Sequence, residues 1–232
     1  ERASAAAAWL RQKPQADLER IARALLAEGM AVWLPPEVEA VLPLPWQAQL
    51  QRSRTWGMTV RRRLHALAAE LGAALGPLGP APVLTWKGAA LEGLAYPPGT
   101  VRPTGAVDLL AAPGRFTAVA DVLQQLGVAP VGGPRHAMHF RRRDEAAGAV
   151  TVDLHRQPVD PEAVSLVVAD LFARAAKAAP GTLAVPDPAD HLHLALIHLA
   201  QSGFASVRHA VDAATAGAAC AANIGPATSA AP

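Results

Sequence analysis

The sequence predicts an α/β (α+β) fold, in which a small mixed β-sheet is flanked by helices and lies between helical N-terminal and C-terminal segments. Three observations predict it. The hydrophobic fraction of 51% consists largely of alanine, which favours packed helices. Short apolar runs typical of buried strands appear after residue 80. These runs alternate with segments of helical periodicity, which is the pattern of an α/β unit.

Residues 1–79 are predicted to form a helical N-terminal segment. Apolar residues over 15–29 repeat at the spacing of one helix face, and Gly29 ends that pattern. A long helix is expected over 46–75. Glycine and proline then cluster in residues 76–82, and we place the main boundary of the chain there.

Residues 80–160 are predicted to form the α/β core, and residues 161–222 a set of C-terminal helices. Residues 223–232 are small and polar enough to form a loose tail. The predicted strands cover 83–86, 107–110, 138–142 and 150–154, and the predicted helices cover 88–94, 116–126, 161–177, 188–201 and 208–222.

Net charge gives little indication of a partner. The formal value of +2 is too small to indicate nucleic-acid or membrane binding by itself. Arginine nevertheless clusters at residues 61–63 and 141–143. Two interpretations of these clusters stay open, namely solvated surface and contact with an anionic partner such as a polyphosphate.

Cysteine content and hydropathy exclude several classes of protein. Cys220 is the only cysteine, so an intrachain disulfide and a cysteine-based zinc cluster are excluded. No apolar run reaches the roughly 18 residues that a membrane span needs. We therefore expect a cytoplasmic protein without a membrane partner.

Candidate phosphate- and metal-binding residues adjoin the predicted strands. Gly88 lies between a strand and a helix, where the absence of a Cβ atom lets a ligand approach the backbone, and Lys87 would add a positive charge. Asp108 and Asp153 lie in apolar runs, where an ionised carboxylate is costly unless it is compensated. Mg²⁺ is the expected compensation. Alternatively, Asp108 is a capping or loop carboxylate, and Asp153 forms an ion pair with an arginine such as Arg156.

Several histidines also occur near these segments. We expect His155 to be structural, with a hydrogen bond to a neighbouring backbone group. His191, His193 and His198 share one predicted helix. His191 and His198 lie two turns apart, so we do not expect the three to hold one metal ion.

Four separated segments resemble, in order, those of an uncharacterised nucleotidyltransferase family of bacteria, which is related to the polymerase-beta-type nucleotidyltransferases. The resemblance runs from about residue 83 to 212, over half the chain. The four segments are Lys87-Gly88, residues 102–110, residues 152–155 and Asp190-His191-Leu192. The resemblance implies a helix-flanked mixed sheet and a transferase that moves a nucleoside monophosphate from Mg-NTP to an acceptor hydroxyl, with release of pyrophosphate.

The resemblance also implies roles for individual residues. Gly88 matches the glycine of the phosphate-side turn, and Lys87 matches the basic residue before it. Arg102 matches an arginine that faces the phosphates. Asp108 and Asp153 match the second and third carboxylates of the family, which are catalytic and would bind Mg²⁺.

Ala106 departs from the family pattern, which has an aspartate at this position. A methyl group cannot bind a metal ion, so we expect the catalytic ion to be weakly held. A natural pseudoenzyme, an engineered inactivating substitution and a different chemistry all remain open. The expected function is transfer to an unknown acceptor, which is a small molecule, a peptide or a protein. The alternatives are a non-catalytic module that binds a nucleotide, peptide or protein, and a helical scaffold without a ligand.

Overall fold

A mixed five-stranded sheet organises the protein in a computed structural model that describes residues 2–96, 101–160, 162, 164, 166–175, 179 and 181–224. The predicted tail from residue 225 onward, and both ends of the helix predicted over 161–177, lie outside the described residues. The mixed sheet and the flanking helices confirm the predicted fold class.

The bounds of most elements agree with the periodicity of the sequence. The helices are α1 (Arg2–Leu10), α2 (Gln15–Ala27), α3 (Pro36–Glu39), α4 (Leu44–Leu75), α5 (Lys87–Leu94), α6 (Phe116–Gln125), α7 (Val168–Arg174), α8 (Pro188–Gln201) and α9 (Val207–Ile224). The strands are β1 (Val83–Trp86), β2 (Val107–Ala111), β3 (Ala129–Gly132), β4 (Ala137–Asp144) and β5 (Gly148–His155). Short 3₁₀ turns follow α2 and α4, at Met30–Trp33 and Gly76–Leu78.

Strand order in the sheet is β1-β2-β5-β4-β3. The β2–β5 pair is parallel, and the other neighbouring pairs are antiparallel. Helix α6 and strands β3 and β4 connect the two parallel strands. Strand β5 is therefore the central strand, and β2 and β4 lie on either side of it.

The two faces of the sheet have different neighbours. Alternate residues of β2 and β5, such as Leu109 and Val152, pack against the leucines of the C-terminal half of α4 and against α6. On the opposite face, Trp86 and Leu110 pack against α7 and α8. These helices cover only part of that face, and Asp108 lies beyond the part that they cover.

Two elements differ from the prediction. Strand β3 was not predicted, because all four of its residues are exposed and two of them are Pro130 and Gly132, which are poor strand formers. The predicted helix over 161–177 was too long. Among its described residues only Val168–Arg174 are helical, and Val167 before them has an extended backbone.

No helix among the described residues is both long enough and apolar enough to cross a bilayer. The apolar surface of the helices is used instead in contacts with the sheet and with each other.

Candidate functional site

The two predicted carboxylates lie side by side on the two parallel strands. Asp108 of β2 is in register with Asp153 of β5, and His139 of β4 is in register with Asp153 on its other side. Neighbouring strands are about 4.8 Å apart, and residues in register share a face. Asp108, Asp153 and His139 therefore form one polar row across the open face of the sheet.

A cavity of about 560 Å³ lies above this row. Its lining includes all five site residues predicted from the sequence, namely Lys87, Gly88, Arg102, Asp108 and Asp153. The other polar side chains in its lining are Thr104, His139, Arg141, Thr151, His198, Arg208 and His209. The structure thus brings the predicted residues together, and their roles in binding or catalysis stay predictions.

A second cavity, of about 400 Å³, lies beside the C-terminal end of α4. Among the described residues its lining contains no charged side chain, and Thr182 is the one residue there with a side-chain hydroxyl. The chemistry of a phosphate-transfer site requires charged groups, so the cavity above Asp108 is the candidate site.

Lys87 neutralises Asp108 directly. Its Nζ atom lies 2.9 Å from Oδ1 of Asp108 and 4.4 Å from the centre of the Trp86 ring. The backbone of Lys87 has a φ angle of 54°, in the left-handed region that non-glycine residues rarely adopt. Such a conformation costs about 1–3 kcal/mol and is typical of functional sites.

Asp108 is ionised despite its burial. Burial alone would raise the pKa of this carboxyl, but the contact with His155 and the charge of Lys87 outweigh burial and lower the pKa below its ordinary value. Because burial and the neighbouring Lys87 lower the pKa of His155, its imidazole is neutral at pH 7. The charge of Asp108 is therefore balanced by Lys87.

The prediction of a backbone hydrogen bond for His155 was wrong. Both of its ring nitrogens are buried and lack a hydrogen-bond partner among the described residues. Nε2 lies 3.4 Å from Oδ1 of Asp108, without the geometry of a hydrogen bond. The ring instead meets the ring of Trp86 edge-on, with 5.2 Å between the ring centres. Packing rather than a backbone bond fixes this histidine.

Asp153 pairs with His139 instead of with Arg156. The distance from Oδ1 of Asp153 to Nδ1 of His139 is 2.6 Å. The guanidinium of Arg156 lies over the ring of Phe116, with its Cζ atom 3.5 Å from the ring centre. The ion pair between Asp153 and Arg156, offered above as the alternative to a metal-binding role, is therefore absent.

Arg102 is held by a carboxylate that the sequence analysis did not identify. Its Nε atom donates to Oδ1 of Asp212 over 2.7 Å, and Nη2 donates to Oδ2 over 2.5 Å. The hydroxyl of Tyr96 donates to the same Oδ1 over 2.7 Å. Nη1 of Arg102 donates to the carbonyl of Pro103 and to Oγ1 of Thr104. Arg102 thus lines the cavity with its hydrogen bonds already made inside the protein.

Gly88 is required by packing as well as by any ligand. A Cβ atom at this position would lie 2.5 Å from Oγ1 of Thr104 and would also clash with Nη1 of Arg102. Real Cβ atoms do not tolerate such distances, so the turn after β1 can approach the segment before β2 only through a glycine.

The helices α8 and α9 contribute side chains that the sequence analysis did not place at the site. The rings of His198 and His209 lie 4.0 Å apart, centre to centre, and both line the cavity together with Arg208. Burial first, and then the charge of Lys87, lower the pKa of His198 to about 4, so this ring is neutral at pH 7. The sequence did not single out His198 as a site residue, because three histidines share the predicted helix.

The lining offers oxygen ligands to at most one magnesium ion and not to a pair of ions. Asp108 and Asp153 supply oxygen ligands on adjacent strands, and magnesium is commonly held by one or two carboxylates together with substrate phosphates. Ala106 supplies no third carboxylate. In the part of the chain that the structure describes, no group of three or more histidine, cysteine or acidic side chains has the geometry of a metal site.

Comparison with known proteins agrees with this geometry. The model of a protein family described as "Uncharacterised nucleotidyltransferase" matches residues 14–218 of the chain. No curated protein and no solved structure matches. The family match runs from α2 into α9 and includes every residue of the candidate site.

Proposed function

Because the chain belongs to the uncharacterised nucleotidyltransferase family, we propose that its cavity binds a nucleoside triphosphate and supports transfer of the nucleoside monophosphate to an acceptor hydroxyl. The observation that carries the proposal is the register of Asp108 with Asp153 at the floor of the cavity. Two carboxylates at this spacing can hold one magnesium ion that arrives with the nucleotide. A bound magnesium ion would draw charge from the phosphate oxygens.

The side chains around the carboxylates suit the remaining parts of the reaction. The acceptor oxygen forms a bond to the α-phosphorus, the bond from the α-phosphorus to the bridging oxygen breaks, and pyrophosphate leaves. Lys87 lies where it can move from Asp108 to a phosphate oxygen. The hydroxyl proton can pass to Asp153, whose partner His139 orients the carboxylate.

A specific contact favours the alternative of a non-catalytic binding module. Lys87 occupies the carboxylate of Asp108, and Ala106 leaves the neighbouring position without an oxygen ligand. A ligand ion must therefore compete with an ammonium group for Asp108. We infer that Ala106 weakens metal binding and slows transfer, and that nucleotide binding is the function that persists.

Calorimetric titration with nucleoside triphosphates in the presence of magnesium tests the proposal. The parent protein is compared with Ala106→Asp and with Thr117→Asp, which adds the same charge at an exposed position in the first turn of α6. We expect the parent to bind a nucleotide, and Ala106→Asp to bind it no more than about tenfold more tightly with magnesium present, because Arg141 in the same lining competes with the ion for the new carboxylate. Thr117→Asp should behave as the parent does.

Release of pyrophosphate distinguishes the two proposed functions. A rate that rises in Ala106→Asp above that of the parent indicates a transferase site weakened at one ligand. Nucleotide binding without any release in either protein supports the binding module. Absence of nucleotide binding in both proteins would contradict transfer and nucleotide binding alike, and would favour a module that binds a peptide or protein.

A further inference from the structure

A second row of side chains crosses the sheet beside the carboxylate row, and it ends in an arginine. Arg141 of β4 is in register with Thr151 of β5, and Ala106 continues the row one residue before β2. All three line the cavity. The position where the family pattern expects an aspartate therefore belongs to a row that contains a guanidinium.

The alternation of strand β4 divides the arginine cluster 141–143 between the two faces of the sheet. Arg142 faces α4, where its Nη1 atom lies 2.6 Å from Oε2 of Glu70. Arg141 faces the cavity. The side chain of Arg141 is exposed, and it has no hydrogen bond or ion pair with any of the described residues. Its positive charge is thus uncompensated at the cavity floor.

Arg208 at the start of α9 adds a second uncompensated charge. It lines the same cavity, and its Nε atom is buried without a hydrogen-bond partner. The other two cations of the lining are already balanced, Lys87 by Asp108 and Arg102 by Asp212. Among the described charges, the cavity therefore has two free guanidinium groups.

A site built around two metal ions needs an excess of carboxylates in its lining. This lining has the opposite balance, since four cationic side chains face two carboxylates, Asp108 and Asp153. The guanidinium fork matches phosphate oxygens in two parallel hydrogen bonds and keeps its charge at every physiological pH. The charge that a triphosphate requires is present in the protein itself.

We propose that Arg141 and Arg208 neutralise the triphosphate of the nucleotide, so that it binds in this cavity without a divalent cation. The inference rests on the proposed function, since it concerns the same site and the same ligand class. Magnesium then contributes little to affinity. Metal-independent binding suits a site in which Lys87 already occupies Asp108 and Ala106 provides no ligand.

Titration of the protein with ATP and with inorganic tripolyphosphate, in excess EDTA and in excess magnesium, tests the inference. The variants are Arg141→Gln and Arg208→Gln. The matched control is Arg143→Gln, which makes the same change on the same strand at an exposed residue outside the cavity lining. Thermal unfolding of each variant verifies that the fold is intact.

We expect EDTA to change the affinity of the parent for ATP by less than about tenfold. Arg141→Gln and Arg208→Gln should each lower the affinity in EDTA on the order of 10- to 100-fold, the loss of one charge-assisted contact. Arg143→Gln should stay within about threefold of the parent. The affinities of the parent and the variants for tripolyphosphate should rank in the same order as their affinities for ATP.

Two results would overturn the inference in distinguishable ways. In the first, ATP binding disappears in EDTA, and in magnesium Arg141→Gln and Arg208→Gln bind ATP as the parent does. The metal ion then supplies the neutralising charge, and the proposed function is intact. Absence of ATP binding in both buffers removes the proposed function, and the inference with it.

Discussion

The ion pair of Arg102 with Asp212 allows a quantitative test of how the site is supported. It is the least exposed ion pair among the described residues, with side-chain exposures of 6% and 4%. Asp212 accepts two hydrogen bonds from Arg102 and one from Tyr96. The substitution Asp212→Asn keeps the shape of the side chain and removes its charge, so the guanidinium of Arg102 is left buried without a counter-charge.

Removal of one partner from a buried ion pair costs about 3–5 kcal/mol, because the remaining charge is desolvated without compensation. We expect Asp212→Asn to lower the free energy of unfolding by about that amount. Urea denaturation followed by tryptophan fluorescence measures it, and an unchanged m-value would show that the unfolded state is unaffected. The matched control is Glu70→Gln, which removes a 44%-exposed carboxylate from Arg142 and should cost less than about 1 kcal/mol.

A double-mutant cycle separates the uncompensated charge from the loss of packing. In Arg102→Met/Asp212→Asn both charges are absent, so the double variant should be more stable than Asp212→Asn alone. The pair is not coupled if the losses of unfolding free energy in the two single variants add up in the double variant. The same follows if Asp212→Asn lowers that free energy no more than Glu70→Gln does. Arg102 would then be free to serve a ligand.

Two further predictions concern the packing and the ionisation of residues near the site. Gly88→Ala should destabilise the protein by about 1–3 kcal/mol, because the added methyl group meets Thr104 and Arg102. Gly93→Ala in the same helix has open space and should stabilise it by about 0.5–1 kcal/mol, and thermal unfolding compares the two. Burial lowers the pKa of His191 to about 4 from an ordinary 6.5. As the pH decreases, the unfolded chain therefore binds this proton first, and the free energy of unfolding falls between about pH 6.5 and 4. An NMR titration that gives the ring a pKa near 6.5 in the folded protein would contradict this.

The elements predicted most accurately are those whose ends have a local chemical signal. Strand β1 and helix α8 have the predicted bounds. Helix α8 begins at Pro188, which suits a first helical turn, and the side chain of Asp187 accepts a hydrogen bond from the backbone of Asp190. Strand β3 has no such signal. It exists through pairing with β4, which is a tertiary contact, and its sequence is that of a loop.

The candidate site was partly predictable for the same reason. A carboxylate inside an apolar run, as at Asp108 and Asp153, is a local anomaly that indicates compensation by another charge. Lys87 provides that charge for Asp108. Asp212 and Arg208 come from α9, about a hundred residues further along the chain. Only the packing of α8 and α9 against α5 brings Asp212 to Arg102 and Arg208 to the cavity.

The arrangement of Ala106 and Arg141 in one row limits what a single substitution can restore. An aspartate at position 106 would lie two strand spacings, about 10 Å, from the backbone of Arg141, within reach of its long side chain. The guanidinium would then compete with a metal ion for the new carboxylate, as Lys87 already does for Asp108. The character of the site therefore depends on its balance of arginine and lysine against aspartate. Ala106 is one part of a lining whose charges favour a phosphate over a metal ion.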